Sequence, residues 1–130
     1  MTSPEFTPEE LESEIWKPVA LPLYSAHYEV SNLGRLRRLT DRYGNVIPSK
    51  ILAFKTPSQR YQMILLHVPG HKYYDATHRV IALTFLGPRP SADHETNHID
   101  GNKRNNRVSN LEYLTHREHG KHKAALKQGS

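Results

Sequence analysis

At 130 residues the chain has room for one compact domain, or for two very small modules sharing a core, and not for a large multidomain enzyme. With no cysteine it can hold neither a disulfide framework nor a cysteine-ligated zinc, so any metal must be bound by His, Asn, Asp or Glu, and an intracellular, cytoplasmic protein is expected. No stretch approaches the roughly 18 consecutive apolar residues of a membrane span, and the acidic start is unlike a secretory leader, so a soluble, unprocessed chain with no membrane partner is expected.

The net charge is +5, yet Glu5, Glu9, Glu10, Glu12 and Glu14 put five acids and no base in the first fourteen residues, which leaves +10 on residues 15–130. A basic body of this kind suits a polyanion, because neutralising phosphates releases condensed counterions. Ordinary solubility charge is the plain alternative.

In chain order, residues 1–14 carry Pro4, Pro8 and few apolar anchors, and read as a flexible acidic arm or a short exposed helix from Thr7 or Pro8. From Ile15 onward Trp16, Val19, Leu21, Leu23, Tyr24 and Tyr28 supply core candidates, with Trp16 an apolar anchor. Short strand-like runs follow at Tyr28 to Val30, Gly34 to Leu39, Ile51 to Phe54 and Tyr61 to Val68. Turn signals separate them at Asn32 and Gly34, Tyr43-Gly44-Asn45, Thr56-Pro57-Ser58 and Pro69-Gly70, so residues 15–75 predict a small antiparallel meander. In the second run strand alternation puts Arg35 and Arg37 on one face and Leu36 and Arg38 on the other, so one face can offer two guanidinium groups to a phosphate backbone.

Thr77 reads as the N-cap of a helix in which Val80 and Leu83, with Ile81 and Phe85, recur at helical spacing before Gly87-Pro88 stops it. Residues 76–124 form a second unit and 125–130 a tail. Within that unit Glu95 to Ile99 is a short strand, Asp100 to Asn110 a polar loop with Gly101, four asparagines and three bases, and Leu111 to Leu114 a second strand. Thr115 with Glu118 three residues on is a capping box that opens a helix. On that helix His116, His119 and either His122 or Lys123 lie three or four residues apart on about one side, and His98 ends the strand expected to pack against it. Imidazoles from strand and helix can then converge on a divalent ion or a phosphate, as phosphodiester cleavage requires.

These residues resemble the HNH endonucleases, and more narrowly the branch found among phage and intron homing endonucleases. His98, Asn110 and His119 stand for the three letters within "NHIDGNKRNN", "NLEYLT" and "REHGKH". "HRVIALTFLGPRP" is similar to the helix and linker ahead of the motif in that branch, and "EIWKPV" with "YEVSNLGRLRRL" to the small module often found at the amino end of such nucleases. The likeness covers roughly residues 14 to 123, and two joined blocks in family order are far more specific than a lone H…N…H.

The resemblance implies an α+β fold, an amino-terminal antiparallel sheet followed by a helix and a ββα-metal motif, acting on double-stranded DNA. It makes His98 the general base, Asn110 the tie between the loop's ends and His119 a metal ligand, with one divalent ion, magnesium or manganese, while an imidazole would also accept zinc or nickel. The ends left would be 5′-phosphate and 3′-hydroxyl. The residue before the first His is usually Asp in the family and is Asn97 here, a neutral and weaker ligand for a hard ion, for which Asp100 or His94 can compensate. His122 reads as a phosphate contact, and Arg35, Arg37, Arg38, Lys103, Arg104 and Arg107 as further DNA contacts. His116 reads as a solvated helix residue, and His27, His67 and His71 lack a motif. Two other functions fit the same letters: a DNA-binding module with a decayed site, suggested by Asn97, and a non-catalytic histidine-bound metal protein, which leaves the basic loop unexplained. Whether the protein acts as a monomer or a homodimer stays open.

Overall fold

The structure is a computed structural model that describes residues 6–52 and 60–128. Thr7 opens α1 (Pro8–Glu12) with a reciprocal capping box to Glu10, so the acidic segment takes the helical form of the two that its sequence allows. β1 (Trp16–Pro18), β2 (Tyr28–Ser31), β3 (Leu36–Thr40) and β4 (Val46–Leu52) then form a four-stranded antiparallel sheet in that order. Gly34 makes the β2–β3 turn at φ +86°, and the Asp41 carboxylate closes the β3–β4 turn by accepting from the backbone N–H of Tyr43 at 2.8 Å and of Asn45 at 2.9 Å.

The expected single meander is in fact two sheets. β5 (Met63–Val68) pairs only with β6 (His71–Ala76), around Pro69-Gly70, as a separate hairpin. β6 escapes a hydrophobic pattern because Lys72 and Tyr74 face water while Tyr73 and Asp75 are only half-buried. β4 begins at Val46, earlier than the expected start at Ile51; Ala53, Phe54 and the Thr56-Pro57-Ser58 turn lie outside the described residues.

α2 (Thr77–Leu86) follows β6 without a linker. Thr77 is not its cap: Ala76 takes the extended cap conformation, while Thr77 sits fully buried in the first turn with its N–H donated to the Gln62 carbonyl at 2.8 Å. The strand runs directly into the helix, which leaves no solvated turn in which the Thr77 hydroxyl could cap.

Val80, Ile81 and Ala82 from α2 are buried against Tyr28, Val30 and Leu36 of the first sheet, Ile64, Leu66 and Val68 of the hairpin, and Leu111 beyond. One helix thus forms a wall shared by both halves of the chain, and each such aliphatic side chain contributes about 1.5–3 kcal/mol of burial. Val19, Tyr24 and Tyr28 join this core as expected, but Ile15 and Leu23 are 54% and 51% exposed.

β7 (His94–His98) and β8 (Leu111–Thr115) pair antiparallel across the polar loop, whose last turn is a 3-10 turn at Val108–Asn110, and α3 (His116–Gln128) follows. Thr115 and Glu118 form the expected capping box, with Thr115 N–H on Glu118 Oε1 at 2.9 Å and Glu118 N–H on Thr115 Oγ1 at 3.2 Å. The fold is α+β. No helix among the described residues is long and apolar enough to cross a membrane.

Candidate active site

Asn110 spans the polar loop. Its Nδ2 donates to Asp100 Oδ1 and to the Asn105 carbonyl, both at 2.9 Å, and its Oδ1 accepts from Asp100 N–H at 3.0 Å. Its own carbonyl takes the Ile99 N–H at 2.8 Å. Asp100 also accepts from Asn102 N–H at 2.7 Å, and these bonds hold its carboxyl below the usual range against the opposing effect of burial. An asparagine-rich stretch folds this way because short amide and carboxylate side chains bond the backbone two to five residues away. A hairpin loop of eleven residues is thereby held in one shape.

His98, the last residue of β7, is 5% exposed. Its ring stacks on Tyr61 at 5.6 Å between centroids and meets His78 at 4.6 Å. Its Nε2 lies 2.7 Å from Asn106 Oδ1, an acceptor, so Nε2 carries the proton and Nδ1 keeps the lone pair. Burial lowers its pKa below the ordinary histidine value, with Lys103 adding to the effect and the Asn106 bond and Asp100 opposing it. His78 beside it is 4% exposed and is pushed down to about 3 by burial, then by His98 and Arg79.

Strand alternation sends the neighbours of His98 to the other face of β7. Glu95 Oε1 abuts His119 Nδ1 on α3, and Glu95 Oε2 is 3.2 Å from His116 Nε2. Asn97, 4% exposed, donates from Nδ2 to Glu112 Oε2 at 2.9 Å across the β7–β8 pair, which leaves its Oδ1 as the atom able to meet a cation. His98 and His119 therefore stand toward opposite faces of β7. The strand separates them, because residues 95 and 97 face α3 while residue 98 faces α2 and the hairpin.

The residues present fit a divalent ion. A carboxylate and an imidazole already meet at Glu95 and His119, and burial, with Lys123 and His122, lowers the pKa of His119 and keeps its ring neutral, as ligation needs, while the Glu95 charge works the other way. Among the described residues no three His, Cys, Asp or Glu side chains form a ready cage. The carboxylate beside His119 is Glu95, which carries no role in the sequence reading, while the two residues expected to compensate for Asn97 have other partners. Asp100 is committed to the loop, and His94 Nδ1 is 2.8 Å from Ser91 Oγ. The signal was available: Glu95 lies two residues before Asn97 and so shares its strand face.

The basic residues have protein partners. Arg35 pairs with Glu14 through Nε at 2.8 Å, Arg37 with Glu29 at 2.8 Å, and both guanidinium groups lie over Trp16, at 5.6 and 4.2 Å. Trp16 is thus a half-buried platform for two arginines, not a core anchor. Arg38 donates to the Tyr28 hydroxyl at 2.6 Å, and Lys103 Nζ stands 4.9 Å over the Tyr61 ring. Arg104, half-buried, has its backbone N–H on Asn102 Oδ1 at 3.0 Å. Arg107 bonds Glu10 at 2.6 Å, which lowers the Glu10 carboxyl to about 2. His122 Nε2 donates to the Ile99 carbonyl at 2.8 Å and so ties α3 to the end of β7.

Residues 14–66 match the NUMOD4 motif and residues 75–121 the HNH endonuclease family. Two HNH endonucleases of Acanthamoeba polyphaga mimivirus are 32% identical over 111 residues, covering 85% of this chain and 26% of the relative, and 33% identical over 107 residues, covering 82% and 29%. The solved structure of DNA binding and cleavage by the HNH homing endonuclease I-HmuI superposes with a TM-score of 0.66 at 28% identity, over 85% of this chain and 58% of that one. The chain spans between a quarter and a third of the viral relatives it matches. With both segments present in this order and packed on one core, the chain carries an HNH endonuclease domain behind a NUMOD4 motif and is homologous to HNH endonucleases.

Proposed function

We propose that the chain is a metal-dependent DNA endonuclease. The observation that carries this reading is the division of β7: adjacent residues at its end present a ligand atom, Asn97 Oδ1, on one face and a base, His98 Nδ1, on the other. A phosphate laid across the strand end would meet both. His98, neutral near pH 7 because its pKa is depressed, accepts the proton of the attacking water at Nδ1. Asn97, His119 and Glu95 are the residues that would hold the ion. A divalent cation there supplies Lewis-acid stabilisation of charge on the phosphorane and the departing 3′ oxygen. Magnesium or manganese suits the oxygen donors, and zinc or nickel the imidazole. Asn110 keeps the loop, and with it Asn106, in register behind the base.

Double-stranded DNA would lie along the basic loop, with Lys103, Arg104, Arg107 and His122 nearest the cut. Arg35, Arg37, Arg38 and Arg107 would contribute only by exchanging carboxylate or phenol partners for phosphate. A homing or phage-type role inside the host cell is supported by the likeness to a homing endonuclease and to viral proteins alone. The test is supercoiled plasmid incubated with magnesium, manganese, zinc or nickel, against a chelator control. Metal-dependent conversion to open circle supports a nicking enzyme, and direct linear product a paired arrangement of sites. DNA binding without any strand cleavage would favour the decayed-site alternative.

A further inference from the structure

The His98 ring ends a buried chain of side chains that crosses between the two halves of the molecule. Asn106 Nδ2 donates to Gln62 Oε1 at 2.9 Å, and that bond turns Asn106 Oδ1 toward His98 Nε2. Gln62, Asn106 and His98 are 5%, 3% and 5% exposed. The backbone at one end and the asparagine at the other are held in place. Gln62 accepts the Thr77 N–H through its carbonyl at 2.8 Å where α2 begins, and a Cβ on Gly34 would stand only 2.7 Å from Asn106 Cβ, so the β2–β3 turn presses directly on this asparagine.

We propose that Gln62 and Asn106 are positioning residues that set the tautomer of His98, so that the NUMOD4-matching segment is a working part of the nuclease site as well as a contributor to the fold. This rests on His98 being the base. An asparagine amide can face a ring with either end. Left to itself, Asn106 could present Nδ2 to His98, and the ring would then have to accept at Nε2 and protonate Nδ1, the atom needed for water. With Gln62 turned so that Oε1 faces Asn106, it holds Nδ2 and leaves the oxygen for the ring. No sequence spacing announces this, because Gln62 and Asn106 are 44 residues apart.

The test reads tautomer and cleavage separately. At pH 8 the ring-nitrogen NMR shifts of His98, assigned with His98→Ala, should show the proton on Nε2 in the parent; a parent ring protonated on Nδ1 overturns the proposal with no variant needed. In Gln62→Met, a near-isosteric change, a measurable fraction of His98 should carry the proton on Nδ1, and kcat should fall about tenfold or more, within the range that loss of a general base spans. DNA affinity should hold. Gln62→Glu, whose carboxylate accepts from Asn106 as the amide oxygen does, should keep the parent tautomer and a kcat within about twofold of the parent. Asn106→Asp, able only to accept from the ring, should hold the parent tautomer even when combined with Gln62→Met. A Gln62→Met protein with unchanged tautomer and unchanged kcat refutes the positioning role. If its tautomer shifts while cleavage continues at the parent rate, it is the assignment of His98 as base that fails, and the relay stands.

Discussion

The polar loop after β7 and the arginine face of β3 are both dense in hydrogen-bonding side chains, but they are built on opposite principles. In the loop, Asn110, Asp100, Asn102 and Asn105 satisfy one another within eleven residues of chain. On the face, Arg35 and Arg37 take partners 21 and 8 residues away, and Arg107, at the loop's end, takes Glu10 from 97 residues away. A local amide network is specified by its own sequence and fixes a shape. A partly exposed ion pair such as Arg37 with Glu29 fixes less, because solvent screens it and two long side chains must be ordered to make it.

The comparison predicts unequal costs. Asn110→Ala removes the bonds made to Asp100 N–H and the Asn105 carbonyl and one of the two on Asp100 Oδ1, and should cost on the order of 3 kcal/mol in urea unfolding, since each such bond contributes about 0.5–1.5 kcal/mol and one to a charged group about 1.5–3 kcal/mol. A loss below about 1 kcal/mol would mean that the loop is no better determined than the arginine face.

Acid should find the same boundary. His78 and His98 are held neutral by burial with pKa values below the ordinary 6.5, about 3 for His78, so the unfolded chain binds more protons than the folded one between those limits. Stability should be complete above pH 6.5 and fall by a few kcal/mol as pH drops toward about 3. His78→Leu should flatten most of that decline, and an unchanged slope would show that the histidine pair is not the titrating element. For the same reason the rising limb of cleavage against pH should lie below 6.5, with a plateau by pH 7.

Smaller effects test the metal face. Glu95→Gln should weaken divalent-ion binding, followed by calorimetry, about tenfold or more, and Asn97→Asp should strengthen magnesium binding, because a carboxylate adds charge to a hard-ion site. Unchanged affinity in Glu95→Gln would return the ligand role to Asn97 and His119 alone. Smallest of all, Arg37→Ala should cost less than about 1 kcal/mol, because its pair with Glu29 is partly exposed. If Arg35→Ala with Arg37→Ala leaves both DNA affinity and its salt dependence intact, the face is structural and phosphate binding belongs to the loop.

How much of this was legible followed the same division. Strand, loop, strand and helix from His94 to Gln128 could be read because each signal is local: alternation, asparagine turns, a capping box at Thr115. The proposed base and the loop residues were offered by the motif. β6 stayed hidden because its outward residues are Lys72 and Tyr74 and its inward ones only half-buried, and Thr77 was misread because a cap was assumed where a strand runs straight into a helix. Glu95 was one alternation step from discovery. Glu10, Glu14 and Gln62 were beyond reach, since their roles depend on partners that only the fold brings near.

The most direct measurement is metal-dependent nicking of supercoiled plasmid by the parent and by His98→Ala, prepared identically so that contaminating nucleases are excluded. The base assignment predicts a loss of about 10²–10⁴-fold in rate, with metal-dependent DNA binding preserved because the proposed ligands lie on the other face of β7. Nicking by His98→Ala at the parent rate would contradict it.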